Sequence, residues 1–304
     1  MTSNRIKPTK SDRVFIAINS TLLIILFILL LYPIWFVLIA SFSNPTLAST
    51  GKVLLFPKEF TLAGYEHVLS YHNLWVGYGN TIFYTVVGTT LNLVATLPCA
   101  YALSRKDMVG RGFILTLFVI TMYFGGGLIP TYLNIRSLGL DNTRTIMLVN
   151  GLVSAFNIIV CRTFFTTTIP NELHEAAYID GCNDFKMFLK IILPLSMPII
   201  VVMSLFYGVG RWNSYFDAMI YLKDRNLFPL QLFLREILIQ SQVAESMLVQ
   251  AIDPKTMEAL YAQADAANLA KYCVIVVSTL PMMLIYPWLQ KFFEKGVMIG
   301  SIKG

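Results

Sequence analysis

Six stretches of this 304-residue chain contain no Asp, Glu, Lys or Arg: 14–42, 78–104, 112–135, 145–161, 191–210 and 272–290. They run 17 to 29 residues, and roughly 20 apolar residues in a helix cross the ~30 Å hydrocarbon layer of a bilayer. The shortest is flanked by Arg144 and Arg162, whose long stems can reach the interface. Each run is continuously apolar rather than alternating, which favours helices over a membrane barrel. Only 13% of residues are charged, where a soluble domain carries about a quarter. The expected fold is therefore an all-α membrane protein with six transmembrane helices, at about 14–42, 78–104, 112–135, 145–165, 191–216 and 268–290. They make one domain, 14–290, between tails 1–13 and 291–304. The first run follows a basic start (Arg5, Lys7, Lys10, Arg13) but is too long for a signal-peptide core and is not closed by a small-x-small site. It reads as a retained helix.

Orientation follows from charge. With the N-terminus inside, the inner segments 1–13, 105–111, 162–190 and 291–304 hold thirteen Lys and Arg against seven Asp and Glu. The longer outer segments hold nine against ten, and Arg211 adjoins the fifth span. Basic density marks the inner side as cytoplasmic, so both termini are expected there. The net charge of +6 is thereby a topology signal. Nucleic-acid binding is disfavoured, because no soluble segment interleaves basic and aromatic residues.

Two outer loops are long. The first, 43–77, is rich in Pro, Gly and aromatics and reads as an ordered cap. The second, expected over 217–267, has apolar residues near helical spacing (Leu234, Ile237, Leu238, Val243, Met247, Leu248). Those amphipathic helices either pack over the span ends or form a receptor-docking surface. Cys99, Cys161, Cys182 and Cys273 form no C-x-x-C pair and read as small apolar side chains. His67, His72 and His174 show no ligand spacing, so no metal site and no catalytic set is expected. No G-x-x-x-x-G-K-[ST] phosphate cradle occurs.

The strongest local chemistry lies in the inner loop, 166–190. Pro170 and Asn171 can open a helix with Asn171 as N-cap. Glu172 and Glu175 then sit in the first turn, where the helix dipole favours them. Ala176 and Ala177 add no bulk. Gly181 can end the helix in the left-handed region, and Asn183 or Asp184 can cap the next one. A small-faced helix with an acidic residue suits docking of another protein. The residues alone leave a docking helix and a plain connector both open.

Glu175-Ala176-Ala177, Asp180-Gly181 and Ile191-x-Leu193-Pro194 resemble the EAA loop of ABC importer permeases. Further segments are similar to the carbohydrate-uptake branch of that family: Phe124 to Tyr132 (FGGGLIPTY), Leu138-Gly139-Leu140, Arg162-Thr163-Phe164-Phe165, Trp212-Asn213, Pro229-Leu230-Gln231 and residues 295–304. They look most like the subgroup that imports oligosaccharides derived from complex polysaccharides, related to the smaller maltose-system permease. The resemblance implies a type I ABC importer permease fold in the bacterial cell membrane. It implies a second homologous permease subunit, two ATPase subunits, an extracellular solute-binding protein and an oligosaccharide substrate. ATP and Mg would bind the ATPase partners, leaving this chain without a cofactor or enzymatic activity of its own. Glu175, Ala176, Ala177, Asp180, Gly181, Leu193 and Pro194 would then be the ATPase-coupling residues. Cys182 stands where the family commonly has Ala; it is similarly small.

Two more features bear on a substrate path. Arg211 precedes Trp212 and Asn213 at the outer end of the fifth span, where an Arg escapes most of the ~2.5–3.5 kcal/mol cost of the bilayer centre. The three are either an interfacial anchor and aromatic belt or the lining of an outer vestibule. Gly125, Gly126 and Gly127 interrupt the third span, either for tight helix packing or to open the backbone to a translocation path. An ion-gradient-driven secondary transporter is the alternative function, and it would ordinarily place ionisable residues inside spans. An intramembrane enzyme would need a buried acid, base, nucleophile or metal cluster, and none is visible.

Overall fold

A computed structural model describes residues 9–250, 268, 270–285 and 287. Every regular element among them is helical. In chain order these are α1 (Lys10–Ser41), α2 (Pro45–Ser49), α3 (Ala63–Ser70), α4 (His72–Ser104), α5 (Arg111–Tyr123), α6 (Leu128–Ser137), α7 (Arg144–Val149), α8 (Ala155–Thr168) and α9 (Asn171–Ile179). Then come α10 (Asp184–Met187), a π-helical turn (Phe188–Ile192), α11 (Leu193–Leu195), α12 (Met197–Trp212), α13 (Phe216–Tyr221), a 3-10 turn (Arg225–Leu227) and α14 (Leu230–Gln250). A last apolar helix, α15, runs Ala270–Ile285.

Two helices, α1 and α4, are long and apolar enough to cross a membrane. Two bent pairs raise the number to four: α5 with α6, bent by 114°, and Asp184–Leu195 with α12, bent by 82°. The expected third span, 112–135, is thus two helices rather than one rod. Gly127 explains the break, because its φ of 85° and ψ of 171° are closed to residues with a Cβ. The expected fourth span, 145–165, is likewise two pieces. Gly151, with φ 68°, ends α7, and the Ser154 side chain caps α8.

The described residues fall into two compact units. In the first, which holds α1 to α3, Ile39, Ala40, Ala48 and Val53 form a small core. The rest of α1 is exposed along its apolar length, as expected of a helix solvated by lipid.

The second unit is organised by α4, whose inner face carries Asn80, Tyr84, Gly88, Asn92, Thr96 and Ala100 at four-residue steps. Neighbours at that spacing lie one above the next, so the six form a continuous stripe that winds slowly round the helix. Their polar groups are met. Asn80 Nδ2 donates to the carbonyls of Asn226 (2.7 Å) and Phe228 (3.0 Å), and Tyr84 Oη to Leu227 (2.9 Å). Thr81 Oγ1 accepts the Leu230 amide at 2.8 Å. Asn92 Nδ2 donates to Gly151 and Leu152, and Thr96 Oγ1 lies 2.7 Å from Tyr207 Oη. In a bilayer such bonds hold helices together where apolar burial supplies little drive. An apolar core at the far end of α4 joins Tyr101 and Leu103 to Ile158, Phe165, Met187, Phe188 and Ile192.

Candidate functional site

The inner loop is built from its caps. Pro170, with φ −65° and ψ 145°, is the N-cap of α9, so the helix opens one residue before the expected Asn171. A proline there forfeits nothing, since the N-cap amide has no intrahelical partner. Glu172 lies in the first turn as expected, whereas Glu175 lies beyond it.

The C-terminus is a Schellman turn. Gly181, at φ 69°, donates its amide to Tyr178 O (3.0 Å), and Cys182 donates to Ala177 O (2.9 Å). That motif brings residue 182 back over residue 177, and both belong to one apolar cluster. A small thiol therefore fits where Ala is common. Asn183 caps α10 by accepting the Lys186 amide at 2.8 Å. In the π turn Leu193 N–H reaches back to Phe188 O, in a stretch where Pro194 has no amide to offer an α-helical ladder.

These caps divide the expected coupling residues between two faces. Glu175, Ala176, Asp180, Gly181 and Pro194 are exposed; Ala177 is buried and Leu193 is half-buried. Ala177 is small because α9 rests on it, so it does not face outward. Around Glu175 the outward surface presents Tyr178 at 58% and Ile179 at 87% exposure. Glu175 forms no ion pair among the described residues.

Beside α9 lies the 105–111 loop. Arg105 grips Asp107 through two bonds, Nε–Oδ1 at 3.0 Å and an Nη–Oδ2 contact at 2.8 Å. The gripped carboxyl is held below the usual carboxylate range. A cavity of about 440 Å³ separates this loop from α9 and is lined by Arg105, Asp107, His174, Glu175 and Tyr178 among others. The His174 ring lies nearly parallel to Tyr101 at 6.0 Å. Burial, and then the nearby Arg105 charge, lower its pKa below 6.5, while Asp107 and Asp184 pull the other way.

At the other end of the unit stand the residues expected near a substrate path. Arg211 is neither a free anchor nor an open vestibule group. Its guanidinium donates to Asn92 Oδ1 (3.1 Å) and to the carbonyls of Met147 (2.6 Å) and Leu148 (3.0 Å). The last two are carbonyls of the final turn of α7, which a cation there satisfies. Trp212 is only 5% exposed and donates to Ser278 O at 3.1 Å, so its ring is packed inside rather than set in an interfacial belt. Asn213 is exposed and turns its amide back to Val209 O. Both line an apolar notch of about 350 Å³ with Leu205, Met282 and Met283. Gly125, Gly126 and Gly127 are exposed; among the described residues a Cβ built on Gly125 would meet nothing within 4 Å, and one on Gly126 or Gly127 only Pro130, at 4.0 Å. None of the described residues packs tightly on them.

The sequence reading passed over the ladder on α4. Its signal was present: Asn80, Tyr84, Asn92 and Thr96 are spaced at multiples of four inside an uncharged run.

An all-helical unit with broken apolar helices and polar residues bonded between them suits a membrane-embedded protein. The family of binding-protein-dependent transport system inner membrane components matches residues 74–299, and this chain belongs to it. Relatives span nearly the whole chain. The Bacillus subtilis protein LplC is 38% identical, with 97% of each chain covered. A B. subtilis polygalacturonan/rhamnogalacturonan transport system permease protein, YtcP, is 37% identical over 96% of this chain and 99% of its own. A chain from the crystal structure of a bacterial ABC transporter involved in import of the acidic polysaccharide alginate is 34% identical. It superposes with a TM-score of 0.83 over 95% of this chain and 99% of that one.

Proposed function

We propose that this chain is one half of the pore of an ATP-driven importer for oligosaccharides released from complex polysaccharides. It couples to ATPase subunits through the 166–190 loop. The names of its relatives point to the substrate class, since polygalacturonan and alginate are both acidic polysaccharides. A second homologous permease completes the six-helix half contributed here. Two ATPase subunits hold ATP and Mg, and an extracellular solute-binding protein delivers the sugar. The termini lie in the cytoplasm of a bacterial cell.

The observation that carries this reading is the outward face of α9. Glu175, a carboxylate with no ion pair among the described residues, stands beside Ala176 and the exposed Ile179. Behind them Ala177, Met187 and Ile192 are buried in the core that also holds the end of α4 and α8. A push on α9 would thus be transmitted as a rigid displacement, because packed cores yield little. The exposed glycines at 125–127, on which no described residue packs closely, fit the path between the two permeases.

Two substitutions test the reading by co-purification of the ATPase with the full chain and by sugar uptake. Glu175→Arg reverses the exposed charge. Gly181→Val forces a β-branched residue into a left-handed position, at a cost of about 1–2 kcal/mol. Both are expected to reduce ATPase retention and uptake together. Retention and uptake at wild-type levels in both variants would sink the coupling assignment.

A further inference from the structure

The segment that follows α1 turns back along it. Lys58 is fixed at the level of the helix end, since its amide donates to Ser43 Oγ (3.2 Å) and its carbonyl accepts from Asn44 N (3.1 Å). Three residues earlier, Leu55 O accepts the indole N–H of Trp35 at 3.0 Å. Trp35 lies six residues before the end of α1 at Ser41, which is roughly 9 Å along the helix axis. Helical side chains also lean toward the N-terminus, so the tip at 54–56 reaches at least that far down. Val53, fully buried against Ile39 and Ala40, anchors the descending arm.

What the tip displays is apolar. Leu54 is 61% exposed, Leu55 60% and Phe56 75%. Lys52 and Lys58 flank it, both exposed. The uncharged run of α1, 14–42, is roughly 43 Å long as a helix, against a ~30 Å hydrocarbon layer and ~40–45 Å with headgroups. The helix end therefore lies among headgroups and Trp35 at their boundary with the acyl chains, where tryptophan concentrates.

We infer that the 52–58 loop is a membrane anchor: Leu54, Leu55 and Phe56 insert among lipid acyl chains, and Lys52 and Lys58 meet anionic headgroups. Depth, apolar display and charge agree on lipid as the occupant. The Trp35 bond removes one carbonyl that burial at that depth would otherwise leave unsatisfied. Snorkelling lets both lysines keep their charge in the headgroup layer. This contact rests on the membrane-spanning reading of α1 and is independent of the coupling assignment for α9.

The test replaces Phe56 with the photoreactive analogue p-benzoylphenylalanine in the full chain and irradiates membranes of the producing cell. Mass spectrometry of the purified chain is expected to show a phospholipid adduct. In parallel, Lys52→Gln with Lys58→Gln is expected to abolish the preference of that adduct for anionic over zwitterionic lipid. A covalent adduct to another protein subunit would overturn the proposal, because the tip would then be an interface between chains. Absence of any adduct would overturn it too, because benzophenone left in water reverts unreacted. Neither result would bear on ATPase coupling.

Discussion

Gly77 and Gly79 stand two residues apart in α4, on nearly opposite faces of the helix, and they do different jobs. A Cβ built on Gly77 would lie 2.8 Å from Phe233 Cδ2 and 3.1 Å from the Leu230 Cα, which is backbone and cannot swing away. A Cβ on Gly79 meets nothing within 4 Å. Gly77→Ala is therefore expected to destabilise the protein by about 1–3 kcal/mol, the usual cost of overpacking. Gly79→Ala should stabilise it by about 0.5–1 kcal/mol through reduced backbone freedom. Thermal unfolding of the two purified variants checks this, and shifts of the same sign would refute the close approach. The role of Gly77 was not legible in the sequence, because its partner residues, Leu230 and Phe233, lie more than 150 positions away. Arg211 failed for the same reason. Its position near a span end was readable, but the α7 carbonyls it satisfies belong to a helix break that hydropathy does not register.

Among the elements, the caps of α9 and α10 were the most legible part of the candidate site. Gly181 adopts the left-handed conformation its residue type implies, and Asn183, one of two candidates with Asp184, caps through its side chain. Local chemistry suffices when the interaction closes within a few residues. Which face of α9 is buried was not local, and Ala177 turned inward because α10 and the π turn fold over it. His174 gives this element a pH dependence. Its pKa is lowered by burial in the docked helix, with Arg105 adding to the effect. A helix detached from the core would restore the ordinary value, so the detached state binds a proton first as pH falls. Docking is then fully favoured above about pH 6.5 and weakens as pH falls through that value toward the lowered pKa. Hydrogen exchange of the α9 amides, corrected for its intrinsic pH dependence, should show protection lost on acidification. His174→Gln should flatten the profile, and an unchanged slope in that variant would show that another group is responsible.

At the scale of the whole molecule, membrane residence was plain from the uncharged runs, while the sharp bends at 124–127 and Ser196 were not. Hydropathy counts apolar length without direction, so a run of the right length passes as a rod even when a break at Gly127 or Ser196 redirects it. The polar ladder on α4 supplies the direction that counting lacks. Asn80 and Tyr84 hold the 226–228 segment at one end of the helix, and Tyr101 meets His174 at the other. The 21 residues from Asn80 to Tyr101 extend roughly 32 Å in a helix, close to the ~30 Å hydrocarbon thickness. The proposed topology then puts the 223–228 turn and α9 on opposite sides of the bilayer, with α9 expected on the cytoplasmic side from the distribution of Lys and Arg. A cysteine-labelling experiment decides the orientation. In a Cys99→Ala, Cys182→Ala background, whose remaining Cys161 and Cys273 are buried, Lys223→Cys should react with a membrane-impermeant maleimide in intact cells. Ile179→Cys, at 87% exposure in the native chain, should react only in inverted vesicles. The reverse pattern would invert the topology, and labelling of both from one side would break the argument that α4 spans the membrane between them.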